Sequence, residues 1–129
     1  MLTCWTRCCR YNPYSWTKLS NVLMFESPPG VGFSYCDECI GNATCMCEAD
    51  DMSTASDNYD AVVAFLDRFP EIKKNPFYIT GESYAGMYIP TLMDQIRQHP
   101  GTVNLIGAAI AGGHTFSSKV RSSPPLFCS

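Results

Sequence analysis

This sequence predicts an α/β fold, with parallel strands and helices packed on their faces. Three observations carry that expectation. Short apolar runs at Asn21–Phe25, Phe77–Thr80 and Val103–Ala111 have the length of buried strands. The segments before and after the second run carry apolar residues at three- and four-residue steps, the spacing of a helix face. The second run passes straight into the small-residue turn Gly81-Glu82-Ser83-Tyr84-Ala85-Gly86, which opens the second helix. Strand, helix, strand, helix, strand is the order that right-handed crossovers wind into a parallel sheet.

Taken in order, the elements have separate grounds. Residues 1–20 hold turn formers and aromatics, Asn12-Pro13-Tyr14-Ser15-Trp16 among them, without a period. The run Asn21–Phe25 ends in Ser27-Pro28-Pro29-Gly30-Val31-Gly32, a rigid loop. Residues 36–52 form a polar, cysteine-rich insert. From about Thr54 to Phe69, Tyr59, Val62, Val63, Leu66 and Phe69 share one helical face, with Ser53 as the expected N-cap and Pro70 as the stop. Ile89, Leu92, Met93 and Ile96 mark a second helix from about Tyr84 to Gln98, in which Pro90 predicts a kink or a late start. The Ser/Pro-rich tail after Gly113 has no period and is expected to be loose.

Composition excludes several classes. At 129 residues the chain has enough length for one core. Its net charge of −3, with no basic run, argues against a nucleic-acid partner. No run of about 18 apolar residues is present, so no membrane span is expected. Eight cysteines suit an oxidising compartment. The first ten residues lack the apolar core of a signal peptide, and one resolution of that mismatch is that the true N-terminus is missing.

Ser83 is the candidate nucleophile. A serine hydroxyl is weakly nucleophilic and must be exposed, aligned with a base and set beside oxyanion donors. A sharp strand-to-helix turn exposes it and aims the first N–H groups of the helix at the developing charge. The chain passes close to itself there, so the residues two before and two after the serine must be small. Gly81 and Ala85 meet that condition, Ala85 standing where glycine is commoner. A loop glycine followed by an N-capping serine would give the same letters, but here a strand precedes the turn and a helix follows it.

Three longer segments go further. Asn12-Pro13-Tyr14-Ser15-Trp16 with Asn21 through Tyr35 (NVLMFESPPGVGFSY), then Phe69-Pro70-Glu71 with Phe77 through Pro90 (FYITGESYAGMYIP), then Asn104-Leu105-Ile106-Gly107, resemble the serine carboxypeptidases, the group that includes the lysosomal and vacuolar enzymes. The resemblance covers residues 11–113 apart from the insert, as a partial catalytic domain, and leaves residues 1–10 and 114–129 unmatched. It implies a fragment of an α/β-hydrolase fold with an incomplete sheet, and removal of C-terminal amino acids from peptides and proteins. No cofactor or metal is implied, the location is the secretory pathway, lysosome, vacuole or exterior, and a homodimer is allowed by analogy.

The resemblance assigns roles by position. Ser83 is the nucleophile, the N–H of Tyr84 an oxyanion donor, and Glu82 the group that binds the substrate's terminal carboxylate. A carboxylate holds another only with a proton between them, so the implied working pH is acidic. The triad partners of such enzymes lie far downstream of the serine, and 46 residues follow Ser83 here. His99 falls at a helix C-terminus, a surface position, and Ala111-Gly112-Gly113-His114 departs from the family pattern. The glycine-rich loop that supplies the other oxyanion donor has no counterpart either, and its strand would lie between the first two runs. The two flanking strands must then pair directly or keep open edges. On these grounds the chain alone is expected to be inactive.

Cys36, Cys39, Cys45 and Cys47 fall within twelve residues. Disulfides of a secretory loop and a four-thiolate zinc site both fit, and four cysteines allow three pairings. Asn42-Ala43-Thr44 is a glycosylation sequon in the same insert. Cys4, Cys8, Cys9 and Cys128 stand outside the resemblance. Three other functions remain open: an acyltransferase on the same scaffold, a non-catalytic module binding peptides or partners, and a product without a stable fold.

Overall fold

A computed structural model describes residues 2–3, 10–42 and 45–113. Cys4, Cys8, Cys9, His114, Cys128, the tail and two residues of the sequon lie outside the described residues. The regular elements are β1 (Leu2–Thr3), β2 (Arg10–Tyr11), α1 (Asp51–Arg68), β3 (Phe77–Glu82), α2 (Ala85–Gln98) and β4 (Leu105–Ala111). Three single-turn helices lie at Trp16–Lys18, Asp37–Cys39 and Pro70–Ile72. The strands β1 and β2 form a two-residue antiparallel pair. The strands β3 and β4 run parallel, joined through α2, which is the expected β-α-β unit.

The run Asn21–Phe25 is not a strand. Its residues are exposed or half-buried and no strand among the described residues accepts its backbone groups, whereas a strand in this fold needs a partner on at least one side. Of the two outcomes expected for the incomplete sheet, the open edge holds among the described residues, where β3 pairs with β4 alone. Phe77 faces Leu105 and Glu82 faces Ala111, with one irregularity between Phe77 and Tyr78. Two bonds fix where both strands begin. The Phe77 N–H donates to the Asn104 carbonyl at 2.8 Å, and Asn104 Nδ2 donates to the Lys74 carbonyl at 3.0 Å. The third apolar run starts its strand at Leu105 rather than Val103, because Val103 turns inward to the core.

Helix α1 starts three residues earlier than expected, and its N-cap is Asp50 rather than Ser53. Asp50 Oδ1 accepts from the N–H groups of Met52 and Ser53 at 2.9 and 2.7 Å, while Ser53 Oγ accepts from the Asp50 N–H at 2.9 Å. This is a capping box with serine in the reciprocal place. A carboxylate outcompetes a hydroxyl as the cap because it accepts two donors and favours the positive end of the helix dipole. The Ser53 bonds hold the Asp50 carboxyl below the ordinary aspartate value. A depressed folded value adds stability that is full above about pH 4, the unfolded range, and is lost as pH falls through the folded value. Asp50→Ala is therefore expected to lower the melting temperature at pH 7. The gap to the parent should narrow at pH 2–3, measured by circular dichroism melts at both pH values.

The predicted helix faces form the core. Tyr59, Val62 and Leu66 of α1 pack on Leu92 and Ile96 of α2 and on Val103, all buried. Phe77 and Ile79 of β3 and Leu105 of β4 lie partly buried against them. Phe69 instead caps α1 and stays 41% exposed, its ring 4.9 Å from that of Phe65. Pro90 does not delay α2, which begins at Ala85. Proline there removes only the bond to the Gly86 carbonyl, and the neighbouring Thr91 hydroxyl donates to the Met87 and Tyr88 carbonyls at 2.9 and 3.1 Å. On the other face of the sheet Tyr78, Ile106 and Ile110 are exposed.

Candidate active site

The end of β3 delivers Ser83 into a backbone conformation that few side chains adopt. Its φ is +59°, and it is the one described non-glycine residue with positive φ. Left-handed backbone at a serine is strained, so neighbouring contacts must hold it. The Ser83 N–H donates to the Ala111 carbonyl at 3.0 Å, extending the β3–β4 ladder by one bond. The Ser83 carbonyl accepts from the Gly86 N–H at 3.0 Å, which closes the turn into α2. Ser83 itself is exposed.

The small residues around the turn are required by contact. A Cβ on Gly81 would sit inside van der Waals distance of the Ala85 Cβ and 3.2 Å from Ile89 Cδ1. A Cβ on Gly113 would lie 2.5 Å from Ile110 Cγ2 and 3.3 Å from the Gly86 Cα. The crowding at Gly81 and Ala85 was legible in the sequence. The approach of Gly113 to Gly86 was not, since it depends on where β4 ends.

The turn leaves donors unused. Among the described residues the Ser83 and Gly86 N–H groups have backbone acceptors, while those of Tyr84 and Ala85 have none. Tyr84 has φ −63° and ψ −13°, already helical, and no side chain caps α2. Free N–H groups at a helix start, beside an exposed serine, are what an oxyanion requires. Glu82 is exposed at the last position of β3.

The structure does not bring His99 to this site. It caps the C-terminus of α2, a helix of fourteen residues and hence about 21 Å long, with Ser83 beyond the other end. Its Nδ1–H donates to the Gln95 carbonyl at 3.0 Å, and its ring stacks on Tyr59 at 4.8 Å. The His99 carbonyl accepts from the Thr102 hydroxyl at 2.8 Å, and that hydroxyl accepts from the Tyr59 hydroxyl at 3.2 Å. Its position is the surface one expected from sequence.

Sequence reasoning missed Asp51. The Tyr84 hydroxyl donates to Asp51 Oδ1 at 3.0 Å, across 33 residues of chain. That bond is the first cause holding the Tyr84 phenol above the ordinary tyrosine value. No sequence signal marks the pair, since Asp51 looks like any acidic residue in a first helical turn.

The cysteine insert is closed by two nested disulfides, Cys36–Cys47 and Cys39–Cys45. This selects one of the three pairings. It also engages the sulfurs that a zinc site would need: the Sγ atoms of Cys36, Cys39 and Cys47 lie within 4.8 Å of one another, but as parts of bridges. The preceding loop folds on Glu26, whose Oε2 accepts from the Phe33 N–H at 2.5 Å and whose carbonyl accepts from the Ser34 hydroxyl. Between this loop and α1 lies an open cleft of about 400 Å³, lined among others by Phe25, Phe33, Tyr35, Asp57 and Asn58. Ser83, Glu82 and Tyr84 do not line it.

Comparison with known proteins places this geometry. The serine carboxypeptidase family model matches residues 5–123. The lysosomal protective protein of Mus musculus is 48% identical over 103 residues, covering 80% of this chain and 20% of its own length. Serine carboxypeptidase-like 21 of Arabidopsis thaliana is 47% identical over 85 residues, covering 66% of this chain and 16% of its own length. Serine carboxypeptidase ctsa-4.1 of Caenorhabditis elegans is 46% identical over 119 residues, covering 91% and 24% respectively. The chain thus spans no more than about a quarter of the length of these relatives. Its parallel strands and flanking helices are part of an α/β-hydrolase fold, and the chain belongs to the serine carboxypeptidase family.

Proposed function

We propose that this chain carries the nucleophile segment of a serine-type carboxypeptidase that releases C-terminal amino acids from peptides. One observation supports the reading above others: an exposed serine at φ +59° followed by N–H groups without acceptors. In this reading Ser83 Oγ attacks the scissile carbonyl carbon. The N–H of Tyr84 stabilises the oxyanion that forms on the carbonyl oxygen. Glu82 hydrogen-bonds the terminal carboxylate of the peptide through a shared proton, which favours catalysis in acid. His99 is too far away to act as the base, so the base and its orienting acid come from outside the described residues. The two disulfides, and a relative named for the lysosome, support a secretory or lysosomal setting.

The test is a chimera in which residues 11–113 replace the matching segment of the mouse lysosomal protective protein. It is expected to release the C-terminal residue of a blocked dipeptide, and Ser83→Ala is expected to abolish release. Within the same chimera Glu82→Gln should flatten the fall in activity between acidic and neutral pH, because an amide donates its hydrogen bond at any pH. A chimera that melts cooperatively yet shows no serine-dependent release would overturn the reading.

A further inference from the structure

The bond between Tyr84 and Asp51 joins the start of one helix to the start of the other. Asp51 is the first residue of α1, directly after the Asp50 cap, and so stands on backbone fixed by the capping box. Tyr84 is the first residue after the strained serine. Its ring packs edge-on against Tyr88, one helical turn later, with centroids 4.9 Å apart. Its hydroxyl reaches Asp51 Oδ1 at 3.0 Å and Oδ2 at 3.4 Å. The side chain is therefore held at both ends, by Tyr88 along the ring and by Asp51 at the hydroxyl.

The backbone beneath that side chain is held at its carbonyls, that of Ser83 accepting from the Gly86 N–H at 3.0 Å and that of Tyr84 from the Met87 N–H at 2.8 Å, but not at the Tyr84 N–H itself. No side-chain cap closes the start of α2, and the Tyr84 N–H has no acceptor among the described residues. The direction of that N–H is set by the peptide plane between Ser83 and Tyr84, and that plane turns with ψ of Ser83 and φ of Tyr84. An anchored side chain on Tyr84 restricts its Cα–Cβ direction and hence φ. We propose that Asp51 is a positioning residue for the oxyanion donor, holding the Tyr84 N–H in its direction through the Tyr84 hydroxyl. The proposal rests on the carboxypeptidase reading for its catalytic meaning. Its geometric content, that Asp51 sets the Tyr84 peptide, stands apart from that reading. The raised phenol of Tyr84 is the mark of the same bond.

The geometric part is tested on the full 129-residue chain by the backbone amide resonance of Tyr84 and the titration of its phenol. Asp51→Ala is expected to shift the Tyr84 amide and return its phenol toward the ordinary tyrosine range. Asp51→Asn, which keeps an acceptor for the hydroxyl, should restore the amide. Tyr84→Phe should displace the amide of residue 84 as Asp51→Ala does, and the double variant should go no further. An unmoved amide in both Asp51→Ala and Tyr84→Phe overturns the proposal, and Tyr84→Phe decides it should Asp51→Ala fail to fold. In the chimera, Asp51→Ala should lower kcat about ten- to a hundredfold with KM little changed, since a displaced donor weakens transition-state binding alone. Unchanged kcat in an active chimera overturns the catalytic role of Asp51. Absence of serine-dependent release from the parent chimera, with the amide still responding, overturns the carboxypeptidase reading and leaves the positioning intact.

Discussion

Leu66→Ala is expected to remove most of the stability of the described fold. Leu66 is 4% exposed and lies among Tyr59, Val62, Leu92, Ile96 and Val103, where α1 meets α2. Truncating a buried leucine costs about 2–5 kcal/mol, the larger values where the site cannot collapse. Here both helices are tied at their starts, α1 by its capping box and α2 by the bonds around Ser83, so collapse onto the cavity is hindered. A small domain has roughly 5–15 kcal/mol in all, and a core of two helices on the two-stranded β3–β4 pair sits toward the lower end. Urea titration followed by circular dichroism should show the midpoint falling sharply or the cooperative transition disappearing. Phe69→Ala is the control. That ring is 41% exposed at the helix end, and its loss should cost about 1 kcal/mol or less. Equal effects from the two substitutions would show that the core is not where the structure puts it.

The second large effect concerns the turn. Gly81→Val is expected to move α2 away from β3 and to disrupt the site at Ser83. The new Cβ would overlap that of Ala85 and press on Ile89 Cδ1, and Ile89 is buried. Overpacking of this kind costs about 1–3 kcal/mol. The functional loss should be larger, about a hundredfold in the release of C-terminal residues by the chimera, because a displacement near 1 Å is enough to misalign a nucleophile. The overlap is with a methyl group, so a compensating change exists. Gly81→Ala should be harmful alone and largely rescued by Ala85→Gly, which removes the opposing Cβ at a helix-propensity cost of about 1 kcal/mol. Failure of that rescue would place the strain elsewhere in the turn.

These two cases show why parts of the molecule could be read in advance. The face carrying Tyr59, Val62 and Leu66 follows from helical spacing, and so does that carrying Ile89, Leu92 and Ile96. The requirement for small residues at Gly81 and Ala85 follows from the chain passing itself at a tight turn. Both are consequences of local geometry, which repeats wherever the same residues recur. Asn21–Phe25 failed as a strand because its apolar letters say nothing of a neighbour to pair with. Ser53 was displaced as N-cap by Asp50 because two nearby residues could both cap, and the choice depended on where the helix began.

The sequence by itself determined the family, the tight small-residue turn around Ser83 and the two helix faces, because each is written in short stretches of adjacent residues. Only the tertiary structure decided the pairing of Cys36 with Cys47 and Cys39 with Cys45, the open edges of the β3–β4 pair, the distance of His99 from Ser83 and the bond from Tyr84 to Asp51. The physical reason is the same for all four. Each depends on where two separated segments meet in space, and that is fixed by the packing of α1 on α2 and of both on the strands, not by the residues at either end.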